Sequence, residues 1–417
     1  MSQHLFNISE RGKDFYNRTK AFIESEIEPI EAEFWQACHK LNPDGDWTNW
    51  QWPPKFEELK AKAKAQGLWN MFLPDATLGA GLSVTDYAPI AELTGRSIIA
   101  PHVFNCNAPD SGNMELIWRY GTQEQQDKWL TPLLEGKTRS VFCMTEPAVA
   151  SSDATNMQAT AIVEGDEIVL NGRKWWSSGL GDPAVDVLIY MAHTPDESKD
   201  RIHQHSMVLV PLNTKGVKIE RMLKVFNDYD APHGHGEISF DNVRVPVENF
   251  IGGAGMGFEI AQGRLGPGRI HHCMRCIGAA EKSLELAVHR GMSRNAFGGK
   301  PLLQLGGNME RIAEARVKID QARLLTLYAA QKMDELGTKA ALTEVSAIKV
   351  VAPTVLQEVV DMAIQIHGGM GVCQDTLLPM FFNQARSLRL ADGPDEVHKM
   401  QIAKLELKKL GYRSKRK

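Results

Sequence analysis

Three carboxylates, Asp392, Asp395 and Glu396, crowd into the stretch Arg389-Leu-Ala-Asp-Gly-Pro-Asp-Glu-Val-His398, beside a glycine and a proline and just ahead of an amphipathic segment. A carboxylate on such a turn, set against an apolar wall, is partly desolvated, which raises its pKa and strengthens it as a base. The same residues suit a plainer task. Asp is favoured at helix N-caps, and on this segment alone capping of the following helix is the better reading. A second group, Phe142-Cys-Met-Thr-Glu-Pro147 followed by Ser151-Ser-Asp153, joins strand-edge backbone groups to a threonine hydroxyl. Such groups can hydrogen-bond a flat heteroaromatic ring. Taken alone, this segment reads better as a strand ending at a proline turn.

The elements that must hold these groups change period along the chain. The first third reads helical: Ser9 precedes a run to about Ile27, and Phe56 to Gln66 stops at Gly67, a helix C-terminus signal. Ser83 starts a segment over Tyr87 to Ile98, and Thr122-Gln-Glu-Gln125 has capping-box spacing. From Val141 to about Ile251 the pattern alternates between turns, and Asn171-Gly172 predicts a hairpin between short antiparallel strands. Beyond Gly252, long helices return over Ile270 to Arg290, Met309 to Leu336 and Thr343 to Ile366, the pattern of a bundle. The expected organisation is an N-terminal α-helical domain over 1–140, a central antiparallel β-domain over 141–252 and a C-terminal α-helical bundle over 253–417, an α+β fold.

Composition narrows the function class. A net charge of −4 over 417 residues argues against a nucleic-acid binder, which carries a basic excess. The one basic run, Arg413 to Lys417, reads as a solvated tail. Six scattered cysteines fit reduced thiols in a cytoplasmic protein, and Cys273-x-x-Cys276 has no second pair, so it marks a helix face rather than a metal or redox site. No apolar run approaches the roughly 20 residues of a membrane span, and the N-terminus lacks a basic-then-apolar leader.

Six motifs follow one another in the order found in the acyl-CoA dehydrogenase family, which the chain resembles along nearly its whole length. They are T-E-P at Thr145, N-G-x-K-x-W from Asn171 to Trp176, F-D-N-V-R-V-P from Phe240 to Pro246, R-x-x-F-G from Arg294 to Gly298, G-G-x-G from Gly368 to Gly371, and the Asp392-Gly393 turn. The spellings T-E-P-x-V-A-S-S-D-A-T and A-D-G-P-D-E-V-H are similar to the branch that includes the acyl-CoA dehydrogenase 10 and 11 type. The resemblance implies FAD between the β-domain and the bundle. Phe142, Met144 and Thr145 would line the flavin on one side, with Trp176, Ser177 and Ser178 on the other. Ser152 matches a serine near the cofactor and the CoA thioester chain. Arg294 matches an arginine that reaches the FAD pyrophosphate of a neighbouring subunit, where a guanidinium binds phosphate oxygens bidentately. Gln365, Gly368 and Gly369 match the segment packed on the adenosine end, and Glu396 stands at a glutamine-like position on the adenine side. Gln304 falls one residue before the glutamine expected after R-x-x-F-G. Arg269 and Gly393 match the substrate site next to the base.

Two departures stand out. The family usually places Glu where this chain has Asp392, one methylene shorter. Its Gly-Thr segment after the base is here Gly393-Pro394, which removes a threonine contact to the cofactor. A base used by some members falls at Gly268 in this chain, leaving Asp392. The implied reaction is α,β-dehydrogenation of an acyl-CoA: Asp392 takes the α-proton, flavin N5 takes the β-hydrogen as hydride, and a backbone N–H near the base helps stabilise the thioester oxygen. The implied acceptor is electron-transfer flavoprotein, and the implied assembly a homodimer or homotetramer. Helices around Tyr87 to Ile99 would form the floor of the acyl pocket. The branch is associated with long, branched and 4-hydroxylated or 4-phosphorylated chains, which Arg264, His271 and His272 would meet. Two other readings stay open: an acyl-CoA oxidase or flavin monooxygenase on the same fold, and a non-catalytic acyl-CoA-binding paralogue.

Overall fold

Serine caps start the first helices, as their spacing predicts. Ser9 accepts from Gly12 N at the head of α1 (Glu10–Phe22), and Ser83 accepts from Asp86 N at the head of α2 (Val84–Gly95). Asp86 returns the favour between helices, accepting from Ser9 N at 2.7 Å and Ser9 Oγ at 2.8 Å. These elements belong to a computed structural model that describes residues 6–412. The first five residues and the basic run from Arg413 to Lys417 lie outside the described residues. The chain divides into two compact units, Met1–Ala32 with Ala63–Phe104 and Gly266–Lys417, and Glu33–Lys62 with Asn105–Leu265.

The first unit is helical. Beside α1 and α2 it contains most of α3 (Gly257–Ser293), then α4 (Asn308–Leu336), α5 (Leu342–His367), α6 (Leu378–Leu388) and α7 (Asp395–Lys409). α5 is its centre and packs against α4, α6 and α7. Its buried side chains, Val345, Ile348, Ala352, Val355, Leu356, Val359, Val360 and Ala363, recur at the three- and four-residue steps of a buried helical face. Arg323 on α4 holds Glu92 of α2 (2.9 and 3.0 Å) and also pairs with Glu281 of α3, tying three helices by one guanidinium. α3 begins well before Ile270, where the apolar period sets in, because Gly263, Gly266, Pro267 and Gly268 interrupt that period without ending the helix. Cys273 and Cys276 are buried on α3, and burial pushes both thiols up, Cys276 to about 12.

The second unit is built on a sheet of seven strands among the described residues. The strands are β1 (Arg139–Cys143), β2 (Thr160–Glu164), β3 (Glu167–Ser178), β4 (Val185–His193), β5 (His205–Pro211), β6 (Val217–Met222) and β7 (His235–Pro246). Their order is β1-β4-β2-β3-β7-β6, with β5 on β4. Most pairs are antiparallel; β1 and β2 each pair with β4 in parallel. The core under the sheet includes Val141, Cys143, Leu170, Tyr190, Val208, Ile238 and Phe240.

The hairpin expected at Asn171-Gly172 is not there. β3 runs straight through both residues, the chain turns instead at Gly165-Asp166, and Asn171-Gly172 forms a bulge against β7. Gly172 has φ +152°, and a Cβ there would lie 2.5 Å from that of Ala159. Asn171 is used for its oxygens: its carbonyl accepts from the Tyr190 hydroxyl (2.8 Å) and its Oδ1 from Asn242 N (2.8 Å). The glycine meets a need for close approach rather than for a turn. Along the chain the order is helical, β and helical, and among the described residues no helix is long and apolar enough to cross a membrane.

Candidate active site

The turn between α6 and α7 carries Asp392. α6 ends at Leu388, whose carbonyl accepts from Lys349 Nζ of α5, and Leu390 N and Ala391 N both donate to Ser387 O at 2.9 Å. Arg389 then closes the loop on Asp395, Nε to Oδ2 at 2.8 Å and Nη2 to Oδ2 at 2.7 Å, while its Nη1 donates to Gln357 of α5 at 3.1 Å. Asp395 is therefore occupied with Arg389. The N-cap of α7 is Pro394, with no side-chain cap, so neither Asp392 nor Asp395 does the capping that their position suggests.

Asp392 itself is left-handed, φ +55°. Aspartate tolerates that region better than most side chains, at a cost of about 1–2 kcal/mol. Gly393 follows at φ +100°, where a Cβ would come 2.9 Å from His398 Nε2. The Asp392 carbonyl accepts from Arg269 Nε at 3.2 Å and from His398 Nε2 at 3.1 Å, and its Oδ2 lies 3.6 Å from His272 Nε2. Its side chain stays 22% exposed. The backbone is thus held from two sides while the carboxylate can still meet a ligand. Burial lowers the Arg269 pKa, against the pull of Asp392, but a guanidinium stays charged at any working pH. Burial, with the nearby cations Arg269 and Lys349, holds His398 at about 4. Its ring is neutral at neutral pH and, facing a carbonyl, donates Nε2–H. His271 is buried edge-on against Tyr87, with ring centroids 4.8 Å apart, and burial pushes its pKa well down, so it is no cation for an anionic chain.

The second unit gathers the other group. Alternation along β1 buries Val141 and Cys143 and leaves Phe142, and beyond it Met144, partly open. Beneath them Lys174 is fully buried, its Nζ 2.8 Å from Glu146 Oε1 and 3.0 Å from the Met144 carbonyl. Glu146 also accepts from Gln158 N (2.8 Å) and Ala159 N (3.0 Å). Burial draws Lys174 down to about 8 in spite of that carboxylate. Trp175 N donates to the Thr145 carbonyl at 3.0 Å, which joins the end of β1 to β3. A second bulge in β3, between Lys174 and Ser177, gives Trp176 φ +51° and leaves it 42% exposed. Ser177 is fully buried, and Ser178 is half-buried with its Oγ 2.8 Å from His235 Nδ1. An open tryptophan rimmed by hydroxyl and backbone polar groups suits a flat heteroaromatic ring. Arg264 lies over the Phe142 ring, 4.1 Å from its centroid, and donates to Asn113 at 3.1 Å.

The remaining candidates stand on other elements. Ser152 is exposed in the turn after β1, where its neighbour Ser151 accepts from Glu146 N at 2.9 Å. Exposed Arg294 follows the end of α3, and its carbonyl accepts from Leu302 N at 2.7 Å; Gln304 is exposed in the next turn. Gln365, Gly368 and Gly369 are exposed at the C-terminal end of α5, and Glu396 in the first turn of α7. Sequence reasoning missed Glu146 and Lys174, though both are letters of its own motifs, because single charges in a loop and in a strand read as surface. It also missed His398 and the residues around Ser178, which no spacing links.

Residues 9–137, 141–243 and 255–407 match the family models for the acyl-CoA dehydrogenase N-terminal, middle and C-terminal domains. Acyl-CoA dehydrogenase family member 11 of Gallus gallus is 52% identical over 407 residues, 97% of this chain and 52% of that protein, so the chain spans about half the length of that relative. The probable acyl-CoA dehydrogenase FadE2 of Mycobacterium tuberculosis (strain ATCC 25618 / H37Rv) is 49% identical, covering 96% of this chain and 97% of its own. A solved structure of a candidate acyl-CoA dehydrogenase from Mycobacterium abscessus has a TM-score of 0.94 at 57% identity, covering 97% of this chain and all of that one.

Proposed function

The chain belongs to the acyl-CoA dehydrogenase family, and on that premise we propose that it oxidises an acyl-CoA thioester to the trans-2-enoyl-CoA with FAD as cofactor. The residues suit FAD: Trp176 stands open on its bulge, Thr145 and Ser178 bring hydroxyls to the same region, and Phe142 and Met144 add apolar surface. Arg294 would meet the pyrophosphate, and Gln365, Gly368 and Gly369 would pack on the adenosine end. When bound, FAD supplies the two-electron acceptor for the hydrogen leaving the β-carbon.

Asp392 takes the α-proton. The observation that carries this role is the clamp on its backbone: Arg269 and His398 bind the carbonyl of a left-handed residue and leave the carboxylate to the substrate. A base held in place from behind spends little ordering entropy when substrate arrives. His272, 3.6 Å from Oδ2, aims the carboxylate. Electron-transfer flavoprotein reoxidises the enzyme, and Arg294 acts across the interface of a homodimer or homotetramer.

Asp392→Asn should keep its yellow flavin and lose bleaching by acyl-CoA by roughly 10²–10⁴-fold, read by stopped-flow absorbance. A variant that bleaches at the wild-type rate moves the base elsewhere.

A further inference from the structure

Ser178 ends a chain of three side chains drawn from three places in the sequence. The bulge between Lys174 and Ser177 shifts the register of β3 so that Ser178 falls opposite His235, the first residue of β7. Their side chains meet, Oγ to Nδ1 at 2.8 Å. On its far side the His235 ring reaches Asp230 in the turn before β7, Nε2 to Oδ2 at 3.4 Å. Asp230 is itself placed by that turn: φ +55°, its N–H donating to Asp228 Oδ1 at 3.1 Å and its carbonyl accepting from Gly234 N at 2.9 Å. The Trp176 ring lies beside His235, with centroids 5.9 Å apart, and His233 stands edge-on at 6.0 Å. The dehydrogenation proposed above assigns no task to His235 or Asp230.

With a single hydrogen on the His235 ring, hydrogen bonding gives this chain one direction. Burial pushes the Asp230 carboxyl up, but its imidazole neighbours His235, 3.4 Å away, and His233 outweigh it, so Asp230 sits below its usual value and is ionised at neutral pH. A carboxylate only accepts, so Nε2 of His235 carries the hydrogen. In the neutral ring Nδ1 is then a lone pair, and the Ser178 hydroxyl donates to it. A hydroxyl whose one hydrogen is committed offers only lone pairs to whatever lies in front of it.

We propose that His235 and Asp230 are positioning residues that turn Ser178 into an obligate hydrogen-bond acceptor facing the flavin, and that they thereby favour the reduced, hydrogen-bearing ring over the oxidised one. The inference rests on the FAD reading above. Without the pair, the hydroxyl rotates to suit either redox state and the bias is lost. The effect is transmitted only through Ser178, which makes it separable from general damage.

The test uses FAD-loaded protein and its midpoint potential by dye-coupled titration. His235→Ala and Asp230→Asn should each lower the potential, by roughly tenfold in the reduced-to-oxidised ratio, about 30 mV for a two-electron couple. Ser178→Ala should lower it likewise, and His235→Ala added to Ser178→Ala should change nothing further, the mark of one shared interaction. In protein stripped of FAD, ¹⁵N spectra of His235 should show hydrogen on Nε2. Potentials unmoved in FAD-replete variants, a full shift from His235→Ala in the Ser178→Ala background, or any hydrogen on Nδ1 at neutral pH would each overturn the inference and leave the dehydrogenase reading standing. Should His235→Ala fail to hold FAD, Asp230→Asn with and without Ser178→Ala reads the same coupling. Wild-type protein that neither contains nor takes up FAD overturns both.

Discussion

Asp392 and Trp176 are both non-glycine residues in the left-handed region at the centre of a candidate site, yet they are held there by different means. Asp392 lies in a turn between helices, which has no ladder of its own. Long polar side chains reach it from elsewhere: Arg269 on α3, Lys349 on α5, and Arg389 and His398 on either side. Trp176 lies in a strand. The register with β7 resumes on both sides of its bulge, and the buried Lys174–Glu146 pair lies beneath it. Both positions carry a backbone cost of order 1–3 kcal/mol that surrounding structure must meet. The lesson is that the turn depends on several groups, among them His398 held at about 4, whereas the bulge depends on the sheet and an ion pair whose lysine is drawn down to about 8. The turn should respond to falling pH, and the bulge to loss of the one charge beneath it, by substitution or as pH rises past about 8.

The largest effect should come from breaking the prop under the bulge. Lys174→Met strands Glu146 in the core, and removing one partner of a buried pair costs about 3–5 kcal/mol. Denaturant unfolding should show that loss, with Glu146→Gln added to Lys174→Met recovering part of it. A loss below about 1 kcal/mol would mean that the pair does not support the bulge.

Next comes pH at the turn. His398 is held at about 4 when folded, against about 6.5 when unfolded. Between those values the unfolded chain binds more protons at this site. Its contribution is therefore fully present above pH 6.5 and is lost as pH falls toward 4, by roughly 3 kcal/mol. Stability measured at steps of pH should fall more steeply for wild type than for His398→Gln over that window. Parallel curves would remove His398 from the account.

Gly393→Ala should be the mildest, about 1–3 kcal/mol, from a side chain at φ +100° that meets the His398 ring. Its kcat for flavin bleaching should fall by more than its KM rises, because the base is displaced rather than the chain pocket. A change confined to KM would argue that Gly393 matters only for binding.

Much of the architecture is legible from period alone. Helices capped by Ser9 and Ser83, alternating strands after Val141 and the long apolar stripe of α5 all follow from local spacing. Asn171-Gly172 misleads because the dipeptide is read by its turn preference, while close approach to Ala159 is what demands the glycine. The start of α3 is hidden because glycines and a proline mask a helix that tertiary packing sustains.

Within the candidate site, the order of motifs shared with the family picks out the Asp392-Gly393 turn and Thr145, whereas each segment taken alone reads as a helix cap or a proline turn. It says nothing of which distant side chains hold them. The order of helical and β segments, the positions of the turns and the types of the reactive groups are properties of neighbours in the chain, and the sequence by itself determined them. Which carbonyl Arg269 binds, that Lys174 is buried on Glu146, and that Ser178 faces His235 depend on register and packing between residues tens to more than a hundred positions apart. Only the tertiary structure decided those, because hydrogen bonds and burial act through space and leave no periodic mark along the chain.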